Sequence, residues 1–280
     1  MTAEHTQPPV TVWYKWLAPG GRPRWGVGTW HLPDGGRPGK WMPEITGLVP
    51  GQRGYHVVAP DQLVDWLGPE LFEAECRGEH IAHGNVHVFG EARLVRRIDA
   101  WNDQTARLFG ADCAERALPA FETCCPGDPR PRRAIEVARA FANGQATEKD
   151  LAAARAAAKA ATRAASGRAA WDAARDAAWD AAWAAARVAS RGPAWDVAWA
   201  ASRAAANAAT RDAARAAAVR DASGDAAWAA AWAAEREWQA RRLFQLISAG
   251  HAQAREERPS RRRPDGPGPA GPGLRASRRR

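Results

Sequence analysis

From Leu151 to about Ala249 the chain is written almost entirely in alanine, tryptophan, arginine and aspartate. Alanine is the strongest helix former, because it has no side-chain entropy to lose. Turning Arg168–Ser190 by ~100° per residue places Trp179 and Trp183 near ~80° and ~120° from Trp171. Asp172, Asp176, Asp180, Arg175 and Arg187 share that half. The other half holds only alanine: 173, 174, 177, 178, 181, 184 and 185. Residues 193–211 repeat the scheme, with Trp195, Asp196, Trp199, Arg203, Asn207 and Thr210 opposite Ala198, Ala201, Ala204, Ala205, Ala208 and Ala209. Methyl-only faces let helices approach at or below the usual ~8–10 Å. Indoles bracketing the seam then supply the buried area that methyls lack. The pattern predicts antiparallel helices stacked alanine face to alanine face.

Punctuation sets the lengths. Asn143-Gly144 ends a helix, and Thr147 with Asp150 forms a capping-box pattern. Ser166-Gly167, Arg191-Gly192-Pro193 and Ser223-Gly224-Asp225 are further breaks. The expected helices are 131–142, 148–165, 168–190, 193–221 and 225–248. A further one, capped by Asp99, should run to Leu118.

Before Asp99 the composition changes. Val10–Leu17 is strand-like, and Ala18–Pro43 is a Gly/Pro/Arg-rich loop carrying Trp25, Trp30 and Trp41, expected to cover a small sheet. Ile45–Val49 and Gly54–Val58 read as short strands. Asp61 caps a short helix from Gln62 to Leu67, which Gly68-Pro69 stops. Leu71–Cys76 and Asn85–Ile98 form a hairpin pair with Gly90 as a bulge. The fold class is α+β: a small N-terminal α+β domain (10–99), an all-α helical array (100–250), and a disordered tail (251–280).

Charge narrows the partners. Of the net +9, residues 258–280 carry +7, from eight arginines against one aspartate. A tail so rich in Arg, Pro and Gly has no apolar pattern to fold around. It reads as a solvated segment, with weak non-specific nucleic-acid contact as an alternative. No signal pattern and no membrane-length apolar run is present, so the expected location is cytoplasmic and the expected state of the four cysteines is reduced.

Candidate chemistry is sparse. Cys76, His80, His83 and His87 carry zinc-ligand atoms, but the C-x3-H-x2-H-x3-H spacing matches no standard finger and straddles a hairpin tip, so no metal is assigned. No P-loop, G-x-S-x-G or H-E-x-x-H occurs, and no cofactor is implied. His56, on a strand, is a candidate base. With Tyr14 and Trp30 it could line a tryptophan-walled small-molecule cleft, the enzymatic alternative. Tyr14, Lys15, Trp30, His56 and Glu75 would then share it.

From Trp101-Asn102 through CAERAL (113–118), Phe121-Glu122 and PGDPRPRRAIEVAR (126–139), the residues resemble a bacterial immunity protein family, the immunity-protein-five-like domain. Upstream, YKWLAPGG, GRPGKWMP, RGYHVVAPDQLVDWLGP and EARLVRRIDAWN are similar to a bacterial and phage domain of unknown function often joined to it. The eight indoles of the helical half depart from that family's plainer alanine tail. The resemblance implies a non-catalytic protein that binds a protein partner, a cognate toxin, and covers its active surface. The partner-binding residues would be Arg130, Arg132, Arg133 and Arg139, with Trp171, Asp172, Trp179, Asp180, Trp183, Trp195 and Trp199. A structural alternative stands beside this: Asp128, Arg130 and Glu115 as a capping and ion-pair network.

Overall fold

The computed structural model describes residues 12–166, 173–219 and 224–256. The protein is α+β: its described residues form a four-stranded antiparallel sheet followed by six α-helices. The strands are β1 (Trp13–Leu17), β2 (Tyr55–Val57), β3 (Glu70–His83) and β4 (Val86–Arg97), in sheet order β1-β3-β4-β2. Strand alternation divides β1 between two cores. Tyr14 and Trp16 join the helices, whereas Leu17 packs on the other face with Trp30, Tyr55, Val57, Phe72, Phe89 and Leu94.

β3 and β4 form the expected hairpin, extended to the tight turn at Gly84-Asn85. The bulge lies where Gly90 was expected, but the extra residue is on β3: Gly78 and Glu79 face Gly90 alone. Gly90 is required by a close approach, since a Cβ there would sit 2.9 Å from the Ile45 carbonyl oxygen. The Ala18–Pro43 loop is an ordered cover. Gly39, Met42 and Ile45 donate backbone N–H bonds of 2.8–2.9 Å to the carbonyls of Leu94, Ala92 and Gly90, closing the β4 edge beyond β2.

Three expectations are corrected in this half. Residues 45–49 form no strand; the chain there lies along β4, and Val49 makes only a local bridge to Arg53. The short helix is a 3-10 turn over Pro60–Asp65, because Pro60 and Gly68-Pro69 leave room for little else. Its cap is Ala59, whose N–H donates to Gln62 Oε1 at 2.9 Å, and not Asp61.

The helices are α1 (Asp103–Cys124), α2 (Arg130–Ala142), α3 (Glu148–Ser166), α4 (Ala173–Val188), α5 (Ala194–Val219) and α6 (Gly224–Glu256). The α1 cap is Asn102, which accepts from the Thr105 N–H at 3.0 Å; Asp99 stands too early. The helix also continues through Pro119 to Cys124, where a stop at Leu118 was expected. Pro119 forfeits one backbone bond, but Leu118 and Phe121 are fully buried on either side of it, and their burial outweighs the loss.

α1 packs against α2, α4, α5 and α6, while α3 rests on α2 and α4. The link Ala189–Pro193 is short, so the adjoining α4 and α5 run antiparallel. Both alanine faces are buried at 177, 178, 181, 184 and 185 on α4 and at 198, 201, 204, 205 and 208 on α5, whereas Ala209 is only partly buried and Thr210, expected on the indole side, is buried. Small residues set the spacing. A Cβ on Gly110 of α1 would lie 3.2 Å from the Ala198 Cα.

One hydrophobic cluster runs from Tyr14, Trp16 and Leu63 through Phe109 and Phe121 to Leu243, so the sheet and the helices share a core. No helix among the described residues is long and apolar enough to cross a membrane. The expected tail falls mostly outside the described residues.

Candidate functional site

The helical half carries a spacing that its alanine richness hides. Trp179, Trp183 and Arg187 on α4 are four residues apart, as are Trp195, Trp199 and Arg203 on α5 and Trp228, Trp232 and Arg236 on α6. Residues four apart share a helix face. On α4 the two indoles stack, with centroids 5.4 Å apart and planes within 13°, and Arg187 lies 4.7 Å over Trp183. On α6 Trp228 and Trp232 stack at 5.6 Å and 10°, with Arg236 5.9 Å from the Trp232 ring. On α5 Arg203 sits 5.3 Å from Trp199. The signal was present in the sequence as W-x3-W-x3-R, three times over. The helical wheel placed Arg187 and Arg203 on the indole half, but did not show the four-residue repeat that stacks them on the rings.

The ladders differ in what covers their outer rings. Trp195 is covered from outside the helices: the Arg24 guanidinium lies 4.6 Å from its ring and 4.7 Å from that of Trp25. Trp25 in turn meets Trp66 edge-on at 5.6 Å. Trp179 and Trp228 keep 37% and 46% of their surface exposed.

Asp180 lies beside Trp179 in sequence yet is only 3% exposed, so it belongs to the interior and not to the indole face. It pairs with Arg211 of α5 at 2.9 Å, and Asp176 meets the same arginine at 3.2 Å. Burial pushes the Asp180 carboxyl up to about 6 despite the pull of Arg211. Trp171 and Asp172 lie outside the described residues.

The arginines of the PGDPRPRRAIEVAR string are divided by their partners. Arg130 forms a fork on Asp128, Nε to Oδ1 at 2.8 Å and Nη2 to Oδ2 at 2.5 Å. Arg139 bonds Asp112 and Glu115, each at 2.6 Å. Asp112 also accepts from Arg242 at 2.7 Å, tying α1 to α2 and α6 together. Arg132 reaches Glu122 at 2.5 Å, and Arg133 reaches Glu136 at 3.0 Å from the most exposed position of the four. The ion-pair network is present, but as two separate units: Arg130 holds Asp128 and Arg139 holds Glu115.

The cleft residues are not assembled around one space. Tyr14 is buried toward the helices and Trp30 on the opposite face of the sheet, edge-on to Tyr55 at 5.4 Å. His56 has both ring nitrogens engaged by backbone, Nε2 with the Gly51 N–H at 2.8 Å and Nδ1 with the Gly54 carbonyl at 3.0 Å. Burial lowers its pKa, and the nearby Lys15 adds to that. Lys15 donates to the His56 carbonyl at 2.7 Å, and burial lowers its ammonium to about 8.

Of the four metal-ligand types, two meet. His80 Nε2 and His87 Nδ1 are 3.0 Å apart, in a ring cluster with Phe89 and Trp13. His83 is exposed at the hairpin tip, and Cys76 packs against the sheet core, where burial raises its thiol to about 12. No group of three potential ligands forms among the described residues. The four cysteines are free thiols. No protein-family model, curated protein or solved structure matches the chain.

Proposed function

We propose that this chain is a non-catalytic interaction protein, and that it binds a protein partner through indoles of its helical array. The observation that carries the reading is the exposure of Trp179 and Trp228 on an otherwise alanine-sealed array. Tryptophan is the residue most enriched at binding hot spots, since one ring supplies a large rigid contact at low entropic cost. Each exposed ring is backed by a stacked second indole, which fixes its orientation before any partner arrives.

The arginines contribute unequally. Arg130 and Arg139 are held by internal carboxylates and set the shape of the α1–α2 corner. Arg133, the most exposed of the four and paired only with Glu136 of its own helix, is the best placed to meet an acidic partner. Together with the resemblance to bacterial immunity proteins, this favours a toxin as the partner, neutralised by coverage.

The test is affinity capture of the full chain from its source cell, followed by co-expression of the captured protein in a growth assay. Protection by the parent chain, lost in the Trp179→Ala/Trp228→Ala variant with an unchanged Tm, supports the reading. Growth arrest that the parent chain fails to relieve contradicts it.

A further inference from the structure

The α5 ladder shows how this chain treats an outer indole. Arg24 places its guanidinium between Trp195 and Trp25, and anchors it by a 3.2 Å bond from Nη1 to the Leu67 carbonyl. Arginine stacks on indole through its planar, weakly hydrated fork, and more strongly where the pair is desolvated. The equivalent outer ring of α6, Trp228, has Trp232 on one side and no guanidinium over it among the described residues. Asp225, one turn earlier and exposed, supplies a carboxylate with no ion pair among the described residues.

The chain beyond α6 is the richest source of guanidinium in the protein. Residues 258–280 contain Arg258, the run Arg261–Arg263, Arg275 and the run Arg278–Arg280, against one aspartate. We propose that arginines from 275–280 of this same chain dock on Trp228 and Asp225, filling on α6 the place that Arg24 fills on α5.

Length selects which arginines can do so. From Glu256 back to Trp228 along the helix is about 42 Å at ~1.5 Å per residue. Arg263 lies seven residues past Glu256, and a fully extended chain of that length spans at most about 25 Å. Arg278 lies twenty-two residues past it, which permits about 70 Å even at the ~3.1 Å per residue of a Pro-rich segment. Arg261–Arg263 therefore fall short, and Arg275–Arg280 reach. Tethering raises the local concentration of these arginines to the millimolar range, enough to populate a weak contact without another molecule. The contact forms in the chain alone; a partner engaging Trp228 would have to displace it, so its test reads the free chain and does not depend on the toxin reading.

The test is per-residue hydroxyl-radical oxidation read by mass spectrometry on the full chain and two variants. One changes Arg275, Arg278, Arg279 and Arg280 to Ala; the other changes Arg261, Arg262 and Arg263 to Ala. Trp101, buried in the core, serves as the internal reference. The proposal expects Trp228 oxidation to rise about threefold or more in the first variant and to match the parent in the second. It also expects a rate independent of protein concentration over a hundredfold range. Equal rates in all three chains, an equal rise in both variants, or a concentration-dependent rate that assigns the contact to a second copy would each overturn it.

Discussion

Arg236 of α6 donates from Nε to Asp65 Oδ1 at 3.1 Å, joining residues 171 apart in the chain and fixing the last helix to the 3-10 turn of the sheet half. The same guanidinium bonds Gln239 Oε1 at 2.6 Å. The Gln239 amide then donates to the Ser202 carbonyl at 2.9 Å and to Glu235 at 3.0 Å, and Glu235 holds Arg116 of α1 at 2.5 Å. This polar chain threads α6, α5, α1 and the sheet half through an otherwise methyl-lined interior. Buried polar groups like these are costly to leave unpaired.

Removing one end of that chain therefore exposes a large penalty. Asp65→Ala should lower stability by about 2–3 kcal/mol, somewhat below the cost of breaking a fully buried pair because Asp65 is partly exposed. Urea denaturation checks this, and the double variant with Arg236→Ala should cost less than the two single changes summed.

The alanine seam tolerates no added volume. Ala198→Leu inserts a side chain against Gly110 of α1, where even a Cβ on the glycine meets the Ala198 Cα at 3.2 Å. The expected loss is about 2–3 kcal/mol from overpacking. Ala153→Leu, on an exposed face of α3, should change stability by about 0.5 kcal/mol or less. Thermal unfolding of the two variants separates the seam from mere helix propensity.

Asp180 gives the fold a pH signature. Its folded pKa, about 6, lies above the ordinary 3.8, so the folded state holds the proton more tightly than the unfolded chain. The stabilisation from protonation is complete below the unfolded pKa and is lost as pH rises through about 6. Asp180→Asn should therefore gain stability relative to the parent as pH rises from 4 to 7.5, by of order 2 kcal/mol. Parallel melting curves across that range test it; a constant difference would contradict it. Asp176 continues to hold Arg211 in the variant.

Lys15 has the opposite sign. Burial lowers its ammonium from 10.5 to about 8, so the folded state prefers the neutral amine. Its contribution to stability rises with pH between about 8 and 10.5. Lys15→Met should be stabilising at pH 7, and its advantage over the parent should shrink by pH 10. The check is the difference in Tm between the two chains at those values.

Much of the helical half could be read from local signals. The Thr147 and Asp150 box forms as expected, with Asp150 Oδ2 accepting from the Thr147 N–H at 2.9 Å and Thr147 Oγ1 from the Asp150 N–H at 3.2 Å. The burial of alanines 177–185 followed from the wheel for the same reason: period and side-chain size are local properties. What escaped was decided by contacts far away in sequence. Asp180 shares a wheel sector with the indoles, yet Arg211 draws it inside. Pro119 marks a stop on any local rule, yet the burial of Phe121 carries the helix on. Arg24 over Trp195 joins a loop to a helix across 171 residues, and no pattern at either end announces it.

The closure of α4 and α5 against their neighbours rests above all on their alanine faces. Native-state hydrogen exchange across 177–188 and 194–208 measures that directly. The account predicts amide protection approaching the free energy of global unfolding measured in urea, equal to that of α1 around Phe109. Protection in these segments no greater than that of a fraying helix, with α1 still fully protected, would contradict it.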